Sequence, residues 1–332
     1  MNKDERIQSF TAAGLLPVKL LLNNELADHI RINRVIPLIH LQINPTSKCQ
    51  LACPFCSCRG QRNRKPTEVK WELMKEVIDQ AVSVGCQSVT ITGGGEPILY
   101  SHISELIEYC DRRNLDIGLV TNGYLLNKVD GSVLSQCAWI RVSVSDFYGF
   151  SNTLSVAIER GISKSPSVDW SISYVVTKDM KIQEIAKAVQ FANQHRLTHI
   201  RLVSDLLDLK AIPEMDFIKK MLMGIAIDDG LVIYQGRKCY TAGQRDCFIS
   251  LLKTVFGPDG YLYPCCGSQY AEDPPAMDYP ESMRLGKGMD LYHIISRQRW
   301  FDGSKCVKCY YSDYNQLLGI LRLRNIRHIT HV

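Results

Sequence analysis

The sequence lacks the features that mark a membrane or secreted protein. No apolar run in its 332 residues approaches the roughly 18–20 residues that a membrane-spanning helix needs. Its first residues, Met1 to Arg6, are too polar for a secretory signal. We therefore expect a cytoplasmic protein with no membrane contact, in a reducing compartment where disulfide bonds are rare.

An excess of charge of one sign is also missing. The net charge is +5, and charged residues make up 22% of the chain, as in ordinary globular proteins. Such a balance does not by itself indicate nucleic-acid binding. The length is enough for one large domain with an appendage, or for two modest domains.

Cysteine, in contrast, is plentiful, with 13 residues that favour metal binding in a reducing compartment. Cys49, Cys53 and Cys56 form a Cys-x3-Cys-x2-Cys motif. They are odd in number and too close together for unstrained disulfides. A zinc site would need a fourth ligand, for which only Cys58 is near. Three thiolates on one loop can instead hold three corners of a cubic [4Fe–4S] cluster and leave one iron open.

A second motif, Gly93-Gly94-Gly95-Glu96-Pro97, directly follows a predicted strand. Together with the three cysteines and Phe55, it resembles the radical S-adenosylmethionine (SAM) superfamily. The resemblance implies that Cys49, Cys53 and Cys56 ligate a [4Fe–4S] cluster whose open iron binds SAM. It also implies cleavage of SAM to a 5′-deoxyadenosyl radical that removes a substrate hydrogen, and an electron donor such as flavodoxin or ferredoxin.

The resemblance also implies which residues contact SAM. Glycine lets the backbone come close to a ligand, and Glu96 is expected to accept from the methionine ammonium. Phe55 is expected to shield the cluster and pack near the adenine. Ser143 and Ser145 share one face of a strand where relatives place ribose contacts, although such polar residues often only cap a strand. The expected set is Phe55, Gly93, Gly94, Gly95, Glu96, Asn122, Ser143, Ser145 and Arg201, with Asp146 as a further candidate.

From residue 37 the chain alternates between strand and helix patterns. The strands are predicted at 38–43, 88–92, 117–120, 140–144, 171–176 and 199–203, and the helices between them at 68–84, 103–110, 151–161 and 182–195. Six such repeats predict an α/β fold with a parallel sheet covered by helices. Because parallel crossovers are right-handed, the sheet should curl into a partial (β/α)6 TIM-like barrel. Both motifs then lie at C-terminal strand ends, where barrel active sites are found.

The chain is accordingly divided into three parts. Residues 1–36 form a helical prefix, residues 37–213 the radical SAM (β/α)6 core, and residues 214–332 a small cysteine-rich α+β extension. The extension has poor periodicity after a helix-like stretch at 214–226, and small domains of that kind are usually held together by metal. It contains a predicted hairpin, with strands 253–256 and 261–263 around the turn Pro258-Asp259-Gly260.

Four cysteines of the extension, Cys247, Cys265, Cys306 and Cys309, have spacings that a zinc ribbon would also show. Taken with the first half of the chain, they resemble the auxiliary-cluster extension of radical SAM enzymes in its short "twitch" form. The longer SPASM form has further cysteines beyond the Cys-x2-Cys pair, and none follows Cys309 here. The resemblance implies one auxiliary [4Fe–4S] cluster on these four residues, with zinc as the alternative.

The other cysteines leave alternatives open. Cys266 could replace Cys265 as a ligand, and Cys239 could be a ligand or a hydrogen donor. Cys58 should lie near the active-site mouth, as an inert thiol or as a donor. The candidate catalytic residues are therefore Cys58, Cys239 and Cys266, whereas buried spectators are expected at Cys86, Cys110 and Cys137.

Two basic segments could contact an anionic partner. The first is a loop with Arg59, Arg62, Arg64 and Lys65, and the second is the tail from Leu317 to Val332. A solvated surface is one interpretation of the loop, and an anionic substrate such as a phosphate, nucleotide, nucleic acid or acidic peptide is the other. The tail either packs on the barrel or meets a polyanion or a partner.

The combined pattern predicts a radical SAM enzyme that abstracts a substrate hydrogen. Oxidation or cross-linking of a peptide or small molecule fits an auxiliary cluster best. The alternatives are an epimerase with a cysteine hydrogen donor and an enzyme that modifies nucleotides or nucleic acid, although no dedicated nucleic-acid-binding module is recognised. The last alternative is a zinc-binding interaction protein without catalytic activity.

Overall fold

The structure is a computed structural model that describes residues 16–59, 66–208, 215–223, 225, 231–235, 241–272 and 278–323. Several residues singled out in the sequence lie outside this part of the chain. They are Cys239, three residues of the basic loop (Arg62, Arg64 and Lys65) and the tail from residue 324 onward.

A ten-stranded sheet organises the molecule, and its parallel part runs in chain order from β1 to β7. All six predicted strands are present in this part. The strands are β1 His40–Ile43, β2 Ser88–Ile91, β3 Asp116–Thr121, β4 Trp139–Ser145, β5 Asp169–Val176, β6 His199–Ser204 and β7 Val232–Gln235. The seventh strand, β7, was not predicted, because a four-residue apolar run has too few positions to reveal a period.

The described helices are α1 Leu16–Leu22, α2 Asn24–Asn33, α3 Trp71–Ser83, α4 Ile103–Arg112, α5 Gly131–Leu134, α6 Asn152–Lys164, α7 Ile182–Gln194, α8 Met215–Met223, α9 Ile249–Leu252, α10 Leu291–Ser296 and α11 Ser312–Leu321. Helices α3 to α8 connect successive parallel strands from β1 to β7, whereas α1 and α2 precede β1 and α9 to α11 follow β7. In α3, Met74, Val77, Ile78 and Ala81 are buried, which confirms the helical spacing of its apolar residues. Gly85, with φ +95°, follows that helix in the left-handed conformation that favours glycine.

The predicted C-terminal hairpin is present and joins the same sheet. The remaining strands are β8 Asp246–Cys247, β9 Lys253–Phe256, β10 Tyr261–Tyr263, β11 Gly286–Lys287 and β12 Phe301–Asp302. Strand β9 pairs in parallel with β1, from His40 opposite Lys253 to Ile43 opposite Phe256. The C-terminal extension is therefore attached to the strand that leads into the first cysteine motif, and the sheet order begins β11-β10-β9-β1.

The two ends of the described chain pack against each other. Arg34 donates from Nη1 to the Leu321 carbonyl at 3.1 Å, and Arg322 donates from Nε to the Arg34 carbonyl at 2.9 Å. The Arg322 guanidinium also lies over the rings of Phe248 and Trp300, at 4.7 and 4.9 Å from their centroids. The described part of the basic tail thus packs on the protein. No described helix is long and apolar enough to cross a membrane.

Candidate active site

Cys49, Cys53 and Cys56 lie on one loop, residues 49–56, beyond the C-terminal end of β1. We call this segment the cysteine loop. A turn brings its last two cysteines together, with the Cys56 N–H donating to the Cys53 carbonyl at 3.2 Å. All three thiols are partly exposed, and none is in a disulfide. This arrangement leaves several thiols accessible at the sheet edge where barrel active sites lie.

The glycine turn, residues 93–97, lies directly beside the cysteine loop. Gly95 donates its N–H to the Thr46 carbonyl at 2.9 Å, and Glu96 donates its N–H to the Lys48 carbonyl at 2.7 Å. A Cβ atom on Gly95 would collide with the Lys48 carbonyl, so the close approach requires glycine. Two motifs that are separate in sequence are thereby fixed next to each other by backbone hydrogen bonds.

Glu96 fastens the glycine turn to the end of β3. Its side chain is only 2% exposed, and one oxygen accepts from the Thr121 hydroxyl at 2.6 Å. The other oxygen accepts from the Asn122 N–H at 2.7 Å. Burial raises the pKa of Glu96 in spite of these hydrogen bonds. Since both oxygens already accept hydrogen bonds, the carboxylate has a structural role, and its contact with a SAM ammonium stays a prediction.

The loops after β3 and β4 also contact the cysteine loop. Asn122 accepts at Oδ1 from the Gln50 amide at 3.0 Å, and the Tyr148 hydroxyl accepts from the Ala52 N–H at 2.7 Å. Tyr148 is 36% exposed, and the neighbouring Phe147 is 55% exposed. Sequence reasoning missed Gln50 and Tyr148. Only their positions could have indicated a role, because Gln50 lies inside the cysteine motif and Tyr148 follows the end of β4.

The polar residues predicted on the fourth and sixth strands share one face of the sheet. Ser143 is opposite Ser173, which is opposite Arg201, and Arg201 donates to the Ser173 hydroxyl at 3.2 Å. Ser145 is buried two positions further along β4, toward the cysteine loop end. Their contact with SAM stays a prediction.

Asp146 serves as a cap, the alternative weighed for polar residues at strand ends. Its carboxylate accepts from the Tyr174 hydroxyl and the Thr177 N–H, each at 2.8 Å.

The four C-terminal cysteines line a single cavity. Cys247 lies on β8, Cys265 follows β10, and Cys306 and Cys309 precede α11. We call it the four-cysteine cavity; it encloses about 440 Å³ of empty space, part of it open to solvent. Residues that are far apart in sequence therefore meet at one place.

Backbone contacts hold the segments around this cavity together. Gly243 donates its N–H to the Cys306 carbonyl at 2.7 Å, and Cys309 donates its N–H to the Thr241 carbonyl at 2.6 Å. A Cβ atom on Gly243 would meet the Gly303 carbonyl, so these two loops are in direct backbone contact. The cavity is thus enclosed by segments that have little other regular structure.

Two N–H donors lie near sulfurs of the cavity. Gly267 donates its N–H to Cys265 Sγ at 3.3 Å, and the Asn315 amide lies 3.8 Å from Cys247 Sγ. Burial raises the pKa of the Cys247 thiol to about 12, so without metal it is a poor nucleophile. Buried thiols that receive N–H hydrogen bonds suit metal-bound thiolates, because a metal displaces the thiol protons.

Both cysteine groups fit metal binding by the number and kind of their donors. Three thiols on one loop can hold three irons of a [4Fe–4S] cluster and leave the fourth open. Four thiols around one cavity suit a [4Fe–4S] cluster and are also the donor set of a structural zinc site.

Cys266 and Cys58 lie outside the cavity wall. Cys266 Sγ is 3.3 Å from the Tyr311 hydroxyl, whereas its neighbour Cys265 lines the cavity. Cys58 is buried beside Cys56 and is 3% exposed. A hydrogen bond with Cys56 is the largest cause that raises the pKa of Cys58 well above its usual range, and burial adds to it. Access of a substrate radical to Cys58 would require this packing to open.

The three expected spectators, Cys86, Cys110 and Cys137, are buried. Burial raises the pKa of Cys86 to about 11 and that of Cys137 to about 12. Both thiols are therefore unreactive, which agrees with a packing role.

Comparison with known proteins finds similarity to one family in the part of the chain that carries both motifs. The family described as the Radical SAM superfamily matches residues 43–147. PqqA peptide cyclase of Gluconobacter oxydans is 30% identical over 109 residues, which are 33% of this chain and 30% of that protein. A probable GTP 3′,8-cyclase of Methanococcus maripaludis is 31% identical over 35% of this chain and 38% of its own. Mycofactocin maturase MftC of Mycolicibacterium smegmatis is 27% identical over 47% of this chain and 43% of its own.

Solved structures match a larger share of the chain. Streptococcus suis SuiB, bound to precursor peptide SuiA, aligns with a TM-score of 0.58 and 15% identity, over 94% of this chain and 80% of that one. A structure of anSMEcpe with bound AdoMet aligns with a TM-score of 0.52 and 17% identity, over 82% of this chain and 86% of that one. At these identities the similarity shows the fold, and it confirms the predicted partial barrel.

Proposed function

Because the chain carries a domain of the radical SAM superfamily, whose members use a [4Fe–4S] cluster and SAM, we propose that it oxidises or cross-links a substrate with the help of a second, auxiliary cluster. Cys49, Cys53 and Cys56 would hold the radical SAM cluster. The auxiliary ligands would be Cys247, Cys265, Cys306 and Cys309. When bound, SAM and its cluster supply a radical that removes a substrate hydrogen atom, and the auxiliary cluster supplies an acceptor for the electron that an oxidation releases.

The observation that carries this proposal is the four-cysteine cavity. A radical SAM enzyme that passes the radical back to SAM needs no second cluster, whereas an oxidation releases an electron that must have an acceptor. Here four thiols from three separate segments line one cavity, with an N–H group directed at one of their sulfurs. The extension also pairs through β9 with β1, the strand that precedes the cysteine loop. Both features support a redox role of the extension at the same active site.

The chain's own residues would prepare the site before any chemistry. Gly95 lets the glycine turn lie against the Lys48 carbonyl, and Glu96 ties that turn to β3. Tyr148 holds the cysteine loop through the Ala52 N–H. These contacts would hold the loop and the turn in position before the reaction begins. Enzymes place reacting groups in this way, by fixing their geometry in advance. Ser143, Ser145 and Arg201 would bind SAM on the sheet face that they share.

The substrate class favoured by the comparisons is a peptide. PqqA peptide cyclase and mycofactocin maturase are similar in sequence, and the structure of SuiB contains a precursor peptide. The exposed aromatic pair Phe147 and Tyr148, beside the cysteine loop, could pack against an apolar side chain of such a substrate. An electron donor such as flavodoxin or ferredoxin would supply the reducing electron.

A nucleotide is the second candidate substrate, because similarity to a probable GTP 3′,8-cyclase is of the same size. The two classes are distinguished by incubating the reduced enzyme with SAM and either a precursor-type peptide or GTP. Loss of two hydrogens from the peptide, measured by mass spectrometry, supports the proposal. Consumption of GTP would replace it with a nucleotide cyclase.

The cluster assignment is tested by counting iron and sulfide in the anaerobically reconstituted protein. We expect about eight irons in the wild type and about four when Cys49, Cys53 and Cys56 are all changed to Ala. The matched control changes Cys86, Cys110 and Cys137 to Ala and should keep about eight irons. The opposite result would be about four irons in the wild type, none in the Cys49, Cys53 and Cys56 variant, and zinc retained in both. It would make the four-cysteine cavity a zinc site and would overturn the oxidative mechanism.

Exchange with solvent distinguishes oxidation from epimerisation. A reaction in deuterated water should give a product that lacks two hydrogens and has no solvent deuterium at the reacting carbon. Deuterium at that carbon would instead show that an exchangeable donor quenches the radical. Among the described cysteines, Cys266 would then be the donor to change first, because its thiol is only half-buried.

A further inference from the structure

A buried amide on helix α11 reaches the four-cysteine cavity. Asn315 lies in the first half of that helix, is 2% exposed and lines the cavity together with Cys247. Burying an amide side chain inside a helix is unfavourable unless its polar atoms have partners. Both ends of this amide are in contact, because Oδ1 accepts from the Ile249 N–H at 2.9 Å and Nδ2 lies 3.8 Å from Cys247 Sγ.

The partners of this amide fix its orientation. A backbone N–H only donates, so the Asn315 oxygen must face Ile249. Ile249 is the first residue of α9, where an N–H group has no partner within the helix. The –NH2 group is left facing Cys247. Because a sulfur atom is larger than an oxygen atom, the 3.8 Å between Nδ2 and Sγ fits an N–H···S hydrogen bond.

Helix α11 is held beside the cavity at both of its ends. At its beginning, Gln244, which also lines the cavity, donates from Nε2 to the Ser312 hydroxyl at 3.3 Å. Just beyond its end, the Arg322 guanidinium lies 4.7 Å from the ring centroid of Phe248. The backbone that carries Asn315 is therefore fixed in place. Fixed contacts behind a metal ligand are what orient the ligand and tune the metal.

We propose that Asn315 is a positioning residue that donates a hydrogen bond to the Cys247 sulfur and raises the reduction potential of the auxiliary cluster. A hydrogen bond to a ligand sulfur favours the reduced cluster, because reduction adds negative charge that the donor stabilises. The inference rests on the proposed function, in which this cluster accepts the electron that substrate oxidation releases. Asn315 makes the cluster a better acceptor, which is a task beyond its contact with the start of α9.

The test is an EPR-monitored redox titration of the anaerobically reconstituted protein. Only the cluster that binds SAM changes its spectrum when SAM is added, so the signal that SAM leaves unchanged belongs to the auxiliary cluster. Asn315→Leu keeps a branched side chain but has no donor. In this variant we expect reduction of the auxiliary cluster to become about tenfold less favourable, a shift of about 59 mV for one electron. Asn315→Asp keeps an oxygen for the Ile249 N–H but places negative charge near Cys247, so its shift should be larger in the same direction.

Leu318→Ala is the matched control, because Leu318 is buried on the same helix and does not line the cavity. This variant loosens the packing of α11 without removing a donor, so its potential should equal that of the wild type. An unchanged potential in Asn315→Leu, or an equal shift in Leu318→Ala, would overturn the proposal. Failure of the proposed function looks different and would overturn both, because the wild type would then hold about four irons and show no reducible signal that SAM leaves unchanged.

Discussion

The two cysteine sites are built in opposite ways. The cysteine loop gathers Cys49, Cys53 and Cys56 within one segment, and all three remain partly exposed. The four-cysteine cavity draws its thiols from three segments, and Cys247 is buried. When one loop supplies all the ligands, their loss should leave the fold intact. When the ligands hold several segments together, their loss should destabilise the fold. We therefore expect ligand substitutions to affect mainly activity at the cysteine loop and mainly stability at the four-cysteine cavity.

The largest expected effect is on activity at the cysteine loop. Changing Cys49, Cys53 and Cys56 to Ala should abolish reductive SAM cleavage, because no cluster remains to bind and reduce SAM. The melting temperature should change little, since the loop contributes few buried side chains. The measurements are 5′-deoxyadenosine release under anaerobic reduction and thermal unfolding followed by circular dichroism. A large loss of stability would contradict the view that this site is independent of the fold.

The reverse pattern is expected at the four-cysteine cavity. Changing Cys306 and Cys309 to Ala should lower the melting temperature by about 6 °C, which corresponds to about 4 kcal/mol. The segments around the cavity would lose the metal that is proposed to join them, whereas SAM cleavage without substrate should persist. Cys266→Ala is the control, because Cys266 does not line the cavity and its thiol lies 3.3 Å from the Tyr311 hydroxyl. Equal melting temperatures for the two variants would show that the cavity carries no structural metal.

A smaller effect is expected at Glu96, which links the first site to the sheet. In Glu96→Gln, an –NH2 group replaces either the oxygen that accepts from the Ile98 N–H and the Thr121 hydroxyl or the oxygen that accepts from the Asn122 N–H. A donor facing a buried donor should cost about 1–3 kcal/mol of unfolding free energy. Denaturant titration measures the loss, with Glu108→Gln on the exposed side of α4 as control. If the two variants are equally stable, the turn is not held by this carboxylate.

The smallest effect is expected at Ser143, on the sheet face where SAM is proposed to bind. Ser143→Ala should raise the KM for SAM by about threefold to tenfold with little change in kcat, as expected when one hydrogen bond to a bound ligand is lost. Ser171→Ala is the matched control, because Ser171 lies on the same face two residues earlier on the neighbouring strand. The same KM in both variants would place SAM away from Ser143.

These differences explain what the sequence could reveal. Cys49, Cys53, Cys56 and the glycine turn were recognisable because short motifs contain their own geometry. The six strands and their helices followed from hydrophobic period. The sequence could not decide between Cys265 and Cys266 as the ligand. Neighbouring cysteines have nearly the same spacing to distant ligands, and only tertiary packing distinguishes them. The Glu96 network and the contact of Tyr148 with Ala52 were likewise hidden, since each joins residues far apart in the chain.

The pairing of β9 with β1 has a consequence for protein synthesis. One edge of β1 has no neighbour until residues 253–256 have left the ribosome, although β2 is made early. Contacts between distant parts of a chain form late, because the intervening loop must first be closed. The strand that leads into the cysteine loop is therefore completed only after most of the chain exists. A nascent chain would in this way delay assembly of an oxygen-sensitive radical centre until the rest of the enzyme can enclose it.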